Sequence, residues 1–373
     1  MRIGINALYL LPGKVGGSET YIRNLLRELV AVKGNEYVVF VNKESEGVFD
    51  DLIPGIEIVV CPISATRRPV RILWEQFILP IQAALRRIDA LLSAGLTAPF
   101  LHTMPGFVVI YDMQHLNQPQ NFSKTYLYIL RAFIYLGAIT SDGIITLSEK
   151  SKRDIVKYYS VDPDRISVTH MACDTDVYKR SEAKSISEAR LKYGLPERYI
   201  LYIASSLPHK NYQRLLEAFK KVRASKDVKL VLIGARDYGS GAIVAAIDRL
   251  EISRDVVLLG WLPFEDIPTV YSGAELFVFP SLHEGFGIPV LEAFSCGVPV
   301  VCSDIEPINE VAGNAAVLVD PHSSEDISRG MLAVLNDKGL RSSLVAKGAE
   351  RVRDFSWKKT AMATLKALAP PAG

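Results

Sequence analysis

Short β-branched runs alternate with segments of helical periodicity along this chain, and the pattern occurs twice. Such alternation is typical of parallel sheets whose strands are joined by helices. The first set predicts strands at 2–6, 37–41, 57–61, 90–92, 108–110, 143–146 and 166–169, and the second at 199–204, 229–233, 256–259, 276–279, 298–302 and 316–318. We therefore predict an α/β protein with two Rossmann-like, doubly wound parallel sheets.

A polar and poorly patterned stretch, about residues 178–187, separates the two sets of strands. A length of 373 residues also fits two domains better than one. We predict an N-terminal domain over 1–176, a C-terminal domain over 177–355, and a last helix within 356–373 that packs back on the first domain. The first helix is predicted over 18–32, with Ser18 as its N-cap. Because such sheets bind ligands at the carboxyl ends of their strands, we expect a site in a cleft between the domains.

Composition and charge exclude several classes of protein. The formal net charge is only +2, so no overall field favours nucleic acid. The four cysteines lack metal-site spacing, which indicates free thiols in a reducing compartment. The first strand is expected to begin at once, and the most apolar stretch, 126–139, is shorter than a membrane span and contains Arg131. These features predict a cytoplasmic protein without a signal peptide or a spanning helix.

The most informative segment is FPSLHEGFGIPVLEAFSCGVPV, residues 279–300. Its pattern predicts strand, glycine loop, helix and strand, with Pro289 in the first helical turn and Gly297 at the helix end. Glu284 then lies in the loop and Glu292 in the helix. The open amides of such a helix start attract phosphate, and the two carboxylates accept hydroxyl donors. A nucleotide sugar has this chemistry, although a lone Gly-x-Gly would more often be a plain strand–helix turn.

The full segment resembles the signature of family 4 retaining glycosyltransferases, which have the two-Rossmann GT-B fold, and the resemblance covers nearly the whole chain. It implies that the first glutamate and the following amides meet the sugar hydroxyls, and that the second glutamate binds the ribose. The residues carried over for donor binding are Glu284, Gly285, Phe286, Gly287, Ile288, Val290, Leu291 and Glu292.

Residues 206–219, SLPHKNYQRLLEAF, resemble the phosphate-lysine segment of the family. Lys210 follows a predicted strand at a helix start, with Asn211 as the expected cap, so its ammonium is predicted to meet the diphosphate. The family usually has arginine where Ser205 stands, and a hydroxyl of Ser205 or Ser206, or another basic residue, is expected to compensate. Trp261 falls where the family places the nucleotide base, with a core tryptophan as the alternative. Glu310 matches a family glutamate near the nucleotide.

The N-terminal half resembles the acceptor side of the family. Gly16 and Gly17 match its Gly-Gly loop, with a plain turn as the alternative. Asp112 and His115 follow a predicted strand, and we predict that both belong to the site, His115 supplying the imidazole that many members carry at Tyr111. The alternative is that both only support the loop.

The most basic patch of the chain comprises residues 67–77 and the pair Arg86–Arg87. It is interpreted as facing an acidic glycolipid acceptor or a membrane surface, with an ordinary amphipathic helix as the alternative. Peripheral contact with the inner face of the plasma membrane would follow from this interpretation.

The resemblance implies a retaining, metal-independent transfer of a hexose from a nucleotide-diphosphate-sugar to a glycan or lipid-linked acceptor during synthesis of cell-surface polysaccharide such as lipopolysaccharide. Lys210, Glu284, Asp112 and His115 are the predicted catalytic residues. No cofactor is expected, and the Asp174-Thr-Asp176 string is assigned no metal. The alternatives are a nucleotide-sugar epimerase and a non-catalytic nucleotide-sugar binding protein. A nicotinamide dehydrogenase is disfavoured because neither first βα turn reads GxGxxG.

Overall fold

The computed structural model describes residues 1–13, 16–119, 123–234 and 240–369. The chain forms two compact units. The first comprises Met1–Met171 and the segment that starts at Trp357, and the second comprises Ala172–Ser356. The boundary thus lies a few residues before position 176.

The first unit is built on a seven-stranded sheet in which all neighbours are parallel, in the order β3-β2-β1-β4-β5-β6-β7. Its strands are β1 (Arg2–Asn6), β2 (Glu36–Val41), β3 (Glu57–Val60), β4 (Ala90–Ser93), β5 (Gly106–Val109), β6 (Gly143–Thr146) and β7 (Ile166–Val168). Its helices before the boundary are α1 (Gly17–Ala31), α2 (Arg68–Phe77), α3 (Leu79–Leu85), α4 (Gln114–Asn117), α5 (Lys124–Thr140) and α6 (Glu149–Tyr159).

The second unit has a six-stranded parallel sheet in the order β10-β9-β8-β11-β12-β13. Its strands are β8 (Tyr199–Ile203), β9 (Lys229–Ile233), β10 (Val256–Leu259), β11 (Leu276–Phe279), β12 (Val300–Ser303) and β13 (Ala316–Val319). Its helices are α7 (Ala183–Tyr193), α8 (Tyr212–Arg223), α9 (Ser240–Arg249), α10 (Ile267–Ser272), α11 (Ile288–Ser295), α12 (Ile308–Ala312), α13 (Ser324–Asn336) and α14 (Lys338–Val352).

The predicted fold class is confirmed, because both sheets are parallel and doubly wound. Every predicted strand is present, with ends that differ by up to two residues. The apolar runs succeed as predictors because strands of a parallel sheet are covered on both faces, and β4, β5, β6, β8, β11 and β12 are buried along their whole length.

The start of the first helix differs from the prediction. Helix α1 begins at Gly17, and its N-cap is Gly16, with φ at 57° and ψ at −125°. Ser18 therefore lies inside the first turn and is not the cap. The cap position requires a positive φ, which glycine adopts without a steric penalty, and no side-chain hydrogen bond closes this end.

The last helix, α15 (Trp357–Leu368), packs in the first unit although it follows the second unit in the chain. The Trp357 indole contacts the Tyr21 ring of α1 edge-on, with centroids 6.2 Å apart. The Thr360 hydroxyl donates to the backbone oxygen of His170 at 2.6 Å. Among the helices of the described ranges, none combines the length and apolar content needed to cross a bilayer.

Candidate functional site

The loops that follow β8 and β11 meet at the centre of the second sheet. These strands are neighbours, and the order of the strands reverses direction between them, which is where open α/β sheets bind ligands. Lys210 comes from the first loop and Glu284 from the second, and Lys210 Nζ lies 2.6 Å from Glu284 Oε1. The structure thus brings together the two side chains that the sequence selected in separate segments.

A buried asparagine holds these loops in place. Lys210 ends a short 3-10 turn, Pro208–Lys210, and Asn211 follows in the left-handed region with φ at 62°. The Asn211 amide donates to the Pro280 oxygen at 2.8 Å and to the Pro321 oxygen at 2.7 Å. Asn211 occupies the N-cap position of α8, but its side chain makes no capping bond there. The expected side-chain cap is therefore wrong, because this amide instead joins the ends of three segments of the unit.

The Lys210–Glu284 ion pair is largely shielded from water. Only 16% of the lysine side chain and 13% of the glutamate side chain are exposed. The Lys210 ammonium also lies 5.7 Å from the centre of the Phe279 ring. Next to it, burial and then the charge of Lys210 lower the pKa of His209 to about 4, so this imidazole is neutral at physiological pH. The centre of the site therefore holds one cation paired with one anion.

The glycine turn adjoins this pair and follows the predicted geometry. Gly287 is the N-cap of α11 with φ at 108°, Pro289 lies in the first turn, and Gly297 follows the helix with φ at 70°. The first turn of a helix leaves amides without helical acceptors, so this end favours an anion.

Three residues carried over from the family signature are buried around this turn. Phe286 is buried and packs edge-on against Phe355 with centroids 5.8 Å apart. Val290 and Leu291 are fully buried, and the Val290 amide donates to the Gly287 oxygen at 3.0 Å. The side chains of these residues therefore anchor the turn in the core, and only the backbone remains for a ligand.

The second signature glutamate lies between two tyrosines. Tyr271 donates to Glu292 Oε2 at 3.1 Å, and the Tyr178 hydroxyl also bonds this carboxylate. Burial raises the pKa of Glu292 to about 7, while the tyrosine hydrogen bonds act in the opposite direction. Sequence reasoning missed Tyr178, which lies in the weakly patterned segment after the domain boundary. Tyr271 lies on α10, and no sequence signal indicated its role.

Three buried polar atoms in the two loops that carry the pair have no hydrogen-bond partner within the part of the chain that the structure describes. They are Ser206 Oγ, in the loop after β8, and Ser281 Oγ and His283 Nε2, in the loop after β11. Ser205, in the same loop as Ser206, is partly exposed. Unpartnered polar atoms of this kind commonly mark a place where a ligand or an ordered water completes the hydrogen bonds. His283 is a residue that the sequence prediction did not select.

Trp261 and Glu310 lie on other loops of the second unit. Trp261 is 56% exposed, which excludes the alternative of a core tryptophan. Its ring lies over Gly234, where an added Cβ would come within 2.9 Å of the indole. Glu310 is partly buried on α12, and its backbone oxygen accepts from Arg351 Nη2 at 2.6 Å.

In the first unit, Gly16 and Gly17 form the exposed start of α1, and a Cβ on either would meet no atom within 4 Å. Nearby, Gly13 donates its amide to Glu19 Oε2 at 2.7 Å. The open space around Gly16 and Gly17 is compatible with close approach of a ligand to their backbone. Lys14 and Val15 of the same loop lie outside the described residues.

The residues after β5 make more contacts with the protein itself than the sequence suggested. His115 is 3% exposed, and its Nε2 lies 2.7 Å from the Tyr159 hydroxyl. Burial and the charge of Arg131 lower the pKa of His115 to about 4. Asp112 Oδ1 accepts the Gln114 amide at 2.8 Å. These contacts favour the alternative in which both residues support the loop.

Tyr111 stands at the position where many members of the resembled family have histidine. Its hydroxyl donates to the Ala94 oxygen at 2.6 Å and lies 3.2 Å from the Tyr9 hydroxyl. Burial raises the pKa of Tyr111 well above its ordinary value. It is a neutral packing residue at physiological pH.

The Asp174-Thr-Asp176 string has a local structural role. Asp174 Oδ1 accepts the backbone amide of Asp176 at 3.1 Å. Across the described ranges, no group of three or more His, Cys, Asp or Glu side chains is arranged to hold a metal ion. The cysteines Cys61, Cys173, Cys296 and Cys302 are free and buried.

Two sequence families match the chain. The family described as glycosyl transferases group 1 matches residues 185–351, and glycosyltransferase family 4 matches residues 15–177. Together they cover most of both units and include the Lys210, Glu284 and Glu292 segments.

Among curated proteins, the chain is similar to the Escherichia coli O-antigen chain mannosyltransferase B, with 36% identity over 60% of this chain and 59% of the relative. It is also similar to the E. coli serotype-specific mannosyltransferase WbdA, with 30% identity over 66% of this chain and 30% of the relative. The matched region thus spans less than two thirds of the length of these relatives.

The fold is shared with the Anabaena protein HepE, solved in complex with UDP and glucose. The TM-score is 0.78 at 18% identity, over 99% of both chains. This likeness supports the GT-B architecture of two Rossmann-like domains. On the two family matches and the fold, the chain belongs to the group 1, family 4 glycosyltransferases.

Proposed function

We propose that this protein is a retaining glycosyltransferase that moves a hexose from a nucleotide-diphosphate-sugar to a glycan or lipid-linked acceptor in cell-surface polysaccharide synthesis. The observation that carries the proposal is the Lys210–Glu284 contact, 2.6 Å long, at the strand-order reversal of the second sheet and beside the glycine turn. Family membership and the mannosyltransferase relatives support it.

Each part of the donor has a chemical match in the second unit. The diphosphate requires a cation, which Lys210 provides, and the start of α11 adds favourable dipoles. The sugar hydroxyls require acceptors, which Glu284 provides, together with backbone groups of Gly285 and Gly287. The ribose hydroxyls require a further carboxylate, Glu292. Lys210 and Glu284 neutralise each other in the free protein. Donor binding therefore exchanges this ion pair for two new interactions, one between Lys210 and the diphosphate and one between Glu284 and the sugar hydroxyls.

In the proposed reaction, the bond between the anomeric carbon and the diphosphate oxygen breaks as the acceptor oxygen attacks the same face of the sugar. The acceptor proton moves to the departing phosphate oxygen. Lys210 and the α11 start stabilise the negative charge that grows on the leaving group, so no metal ion is required for this task. Preorganised charges of this kind are usually the largest contribution to rate enhancement. Trp261, Gly16 and Gly17 stay predicted ligand contacts.

Two relatives named as O-antigen or serotype-specific mannosyltransferases make mannose the first sugar to test. HepE was solved with UDP, so uridine donors form the comparison set. We propose a nucleoside-diphosphate-mannose donor and an acceptor of the O-antigen type.

Thermal unfolding with a panel of nucleotide sugars tests the donor assignment. A true donor at 100 times its Kd stabilises the protein by about 2.7 kcal/mol, which corresponds to a rise in Tm of roughly 5–10 °C for a unit of this size. GDP-mannose, UDP-glucose, UDP-N-acetylglucosamine and ADP-glucose are compared with the free nucleotides. The proposal is rejected if no nucleotide sugar raises the Tm. Mass spectrometry of an acceptor mixture then establishes transfer, and an altered donor without transfer would indicate an epimerase.

The affinity for the donor is expected to fall below neutral pH. With the pKa of Glu292 at about 7, protonation at lower pH removes the ionised acceptor that the ribose hydroxyls prefer. Bound donor favours the ionised form, so affinity rises with pH and levels off above 7. The Kd at pH 6 is expected to be about tenfold higher than at pH 8. Calorimetric titration checks this, and Glu292→Gln is expected to bind weakly with no such pH dependence. An equal pH dependence in this variant would refute the assignment.

A further inference from the structure

A cavity of about 460 Å³ lies at the amino ends of strands β11 and β12 of the second unit. Glu275 immediately precedes β11, Pro299 immediately precedes β12, and helix α14 supplies a wall through Arg341, Ser342 and Val345. We call this cavity the α14 pocket. Its volume falls within the range of about 300–1,000 Å³ that is typical of small-molecule sites. The pocket is separate from the Lys210–Glu284 pair, which lies at the carboxyl ends of the strands.

Two arginines from distant parts of the sequence line the α14 pocket. Arg180 precedes α7, and its Nη1 donates to the Gly297 oxygen at 3.1 Å. Arg341 lies at the start of α14, and its Nη1 is 3.9 Å from Glu275 Oε2, which is too far for a hydrogen bond. A guanidinium carries five N–H donors. Within the described part of the chain, both arginines therefore keep donors for a further partner.

The single carboxylate of the pocket does not cancel this charge. Arg198, beside the pocket, donates to Glu275 through Nε at 2.5 Å and through Nη2 at 3.1 Å. Such a two-pronged contact is the preferred geometry between arginine and a carboxylate. Because Arg198 already pairs with Glu275, the charges of Arg180 and Arg341 stay in excess, and the pocket attracts an anion.

The remaining walls indicate what kind of anion fits. Ser342 is exposed beside Arg341 and offers a hydroxyl, and the start of the 15-residue helix α14 favours negative charge. Pro299 is buried and Val345 is partly buried, so part of the wall is apolar. Arginine suits phosphate oxygens because its planar fork presents parallel donors. A phosphate monoester with a small organic body therefore matches both the charged and the apolar walls.

One short segment connects the α14 pocket to the second signature glutamate. The Tyr178 hydroxyl bonds the Glu292 carboxylate, and the Ser295 hydroxyl donates to the Tyr178 backbone oxygen. Two residues later, Arg180 holds the Gly297 oxygen just beyond the end of α11. Residues 178–180 thus follow α11 from the carboxylate assigned to the ribose to the rim of the pocket.

We propose that the α14 pocket binds a small organic phosphate monoester and that this ligand strengthens nucleotide binding. A phosphate held between Arg180 and Arg341 fixes the segment that places Tyr178 on Glu292. The nucleotide then has less of this segment to order, which makes the two ligands cooperative. The anion site depends only on groups of the second unit, whereas its effect on the nucleotide rests on the proposed function.

Calorimetric titration of the full chain tests the site with mannose 6-phosphate, glucose 6-phosphate, mannose and inorganic phosphate. At least one hexose phosphate is expected to bind about tenfold more tightly than inorganic phosphate, which leaves the apolar wall uncovered, and mannose is expected not to bind. Arg180→Gln and Arg341→Gln are each expected to weaken hexose phosphate binding at least about tenfold. Arg329→Gln, at a side chain 76% exposed on α13, is the matched control and should bind as wild type does.

A second titration measures the effect on the nucleotide. The Kd for UDP or GDP, whichever binds, is expected to fall about fivefold when the hexose phosphate is saturating. In Arg341→Gln the nucleotide Kd is expected to equal that of wild type without hexose phosphate and to stay unchanged when it is added. Lys210→Met is expected to keep hexose phosphate binding, because the α14 pocket is separate from the cation assigned to the diphosphate.

Circular dichroism establishes that the variants fold. The proposal is overturned if no hexose phosphate binds, if inorganic phosphate binds equally well, or if both arginine variants bind as wild type does. Loss of hexose phosphate binding in Lys210→Met would place the ligand at the donor site and would also overturn it. Binding without an effect on nucleotide affinity would refute the coupling. A protein that binds hexose phosphate through Arg180 and Arg341 but binds no nucleotide contradicts the proposed function and leaves the anion site established.

Discussion

Glu284→Gln is expected to lower kcat/KM about a thousandfold. The same variant is expected to bind a nucleoside diphosphate without sugar more tightly than wild type does. The first effect follows because two charge-assisted hydrogen bonds to the sugar hydroxyls are lost, each contributing about 1.5–3 kcal/mol. The second follows because Lys210 no longer shares its ammonium with a carboxylate 2.6 Å away. Transfer kinetics and calorimetry with the nucleoside diphosphate measure the two effects separately.

The matched control is Glu325→Gln, which removes the carboxylate of the exposed Lys221–Glu325 ion pair in the same unit. Exposed pairs contribute little, so this variant should keep wild-type activity and affinity. If Glu284→Gln retains activity within a few-fold of wild type, Glu284 has no role in transfer. If activity falls but diphosphate affinity is unchanged, the ion pair does not compete with the donor.

Lys210→Met is expected to abolish measurable donor binding and to reduce stability by about 3 kcal/mol, equivalent to roughly 6–12 °C in Tm. The binding loss follows from removal of the cation assigned to the diphosphate. The stability loss follows because Glu284 is left as a charge with only 13% of its side chain exposed. Differential scanning calorimetry and nucleotide-sugar titration measure the two losses.

The double variant Lys210→Met with Glu284→Gln separates these causes. It should recover most of the stability, because no unpaired charge remains, while donor binding stays lost. Lys221→Met is the control for removal of a lysine from the same unit. A double variant as unstable as Lys210→Met would show that the lysine stabilises the loop through its packing on Phe279 rather than through its charge.

The fold could be predicted from the sequence because both sheets are parallel and covered by helices. Their central strands are continuous apolar runs that local pattern detects, as at 199–203 and 276–279. The glycine turn before α11 could be predicted equally well, since Pro289 and Gly297 mark the two ends of a short helix. The start of α1 could not be predicted, because a serine and a glycine are both good N-caps and only the backbone angles at Gly16 decide between them.

The contacts between side chains could be predicted from the sequence much less well. The sequence selected Lys210 and Glu284 as separate motifs, but their mutual contact depends on the adjacency of β8 and β11 and on the Asn211 amide. His115 and Tyr111 illustrate the opposite failure. Both have the chemistry of a site residue, and only the structure shows that Tyr159 and the Ala94 oxygen already engage them.

Because α15 joins the first unit after the chain has passed through the second, the order of folding during synthesis differs from the order of the sequence. Ala172–Ser356 is contiguous and has all of its strands by residue 319, whereas the α1 surface around Tyr21 stays uncovered until Trp357 has left the ribosome. The N-terminal half is therefore synthesised first and completed last. A chain truncated before Trp357 would carry all of the second unit together with a first unit whose apolar α1 surface is uncovered, and such a surface is a substrate for chaperones.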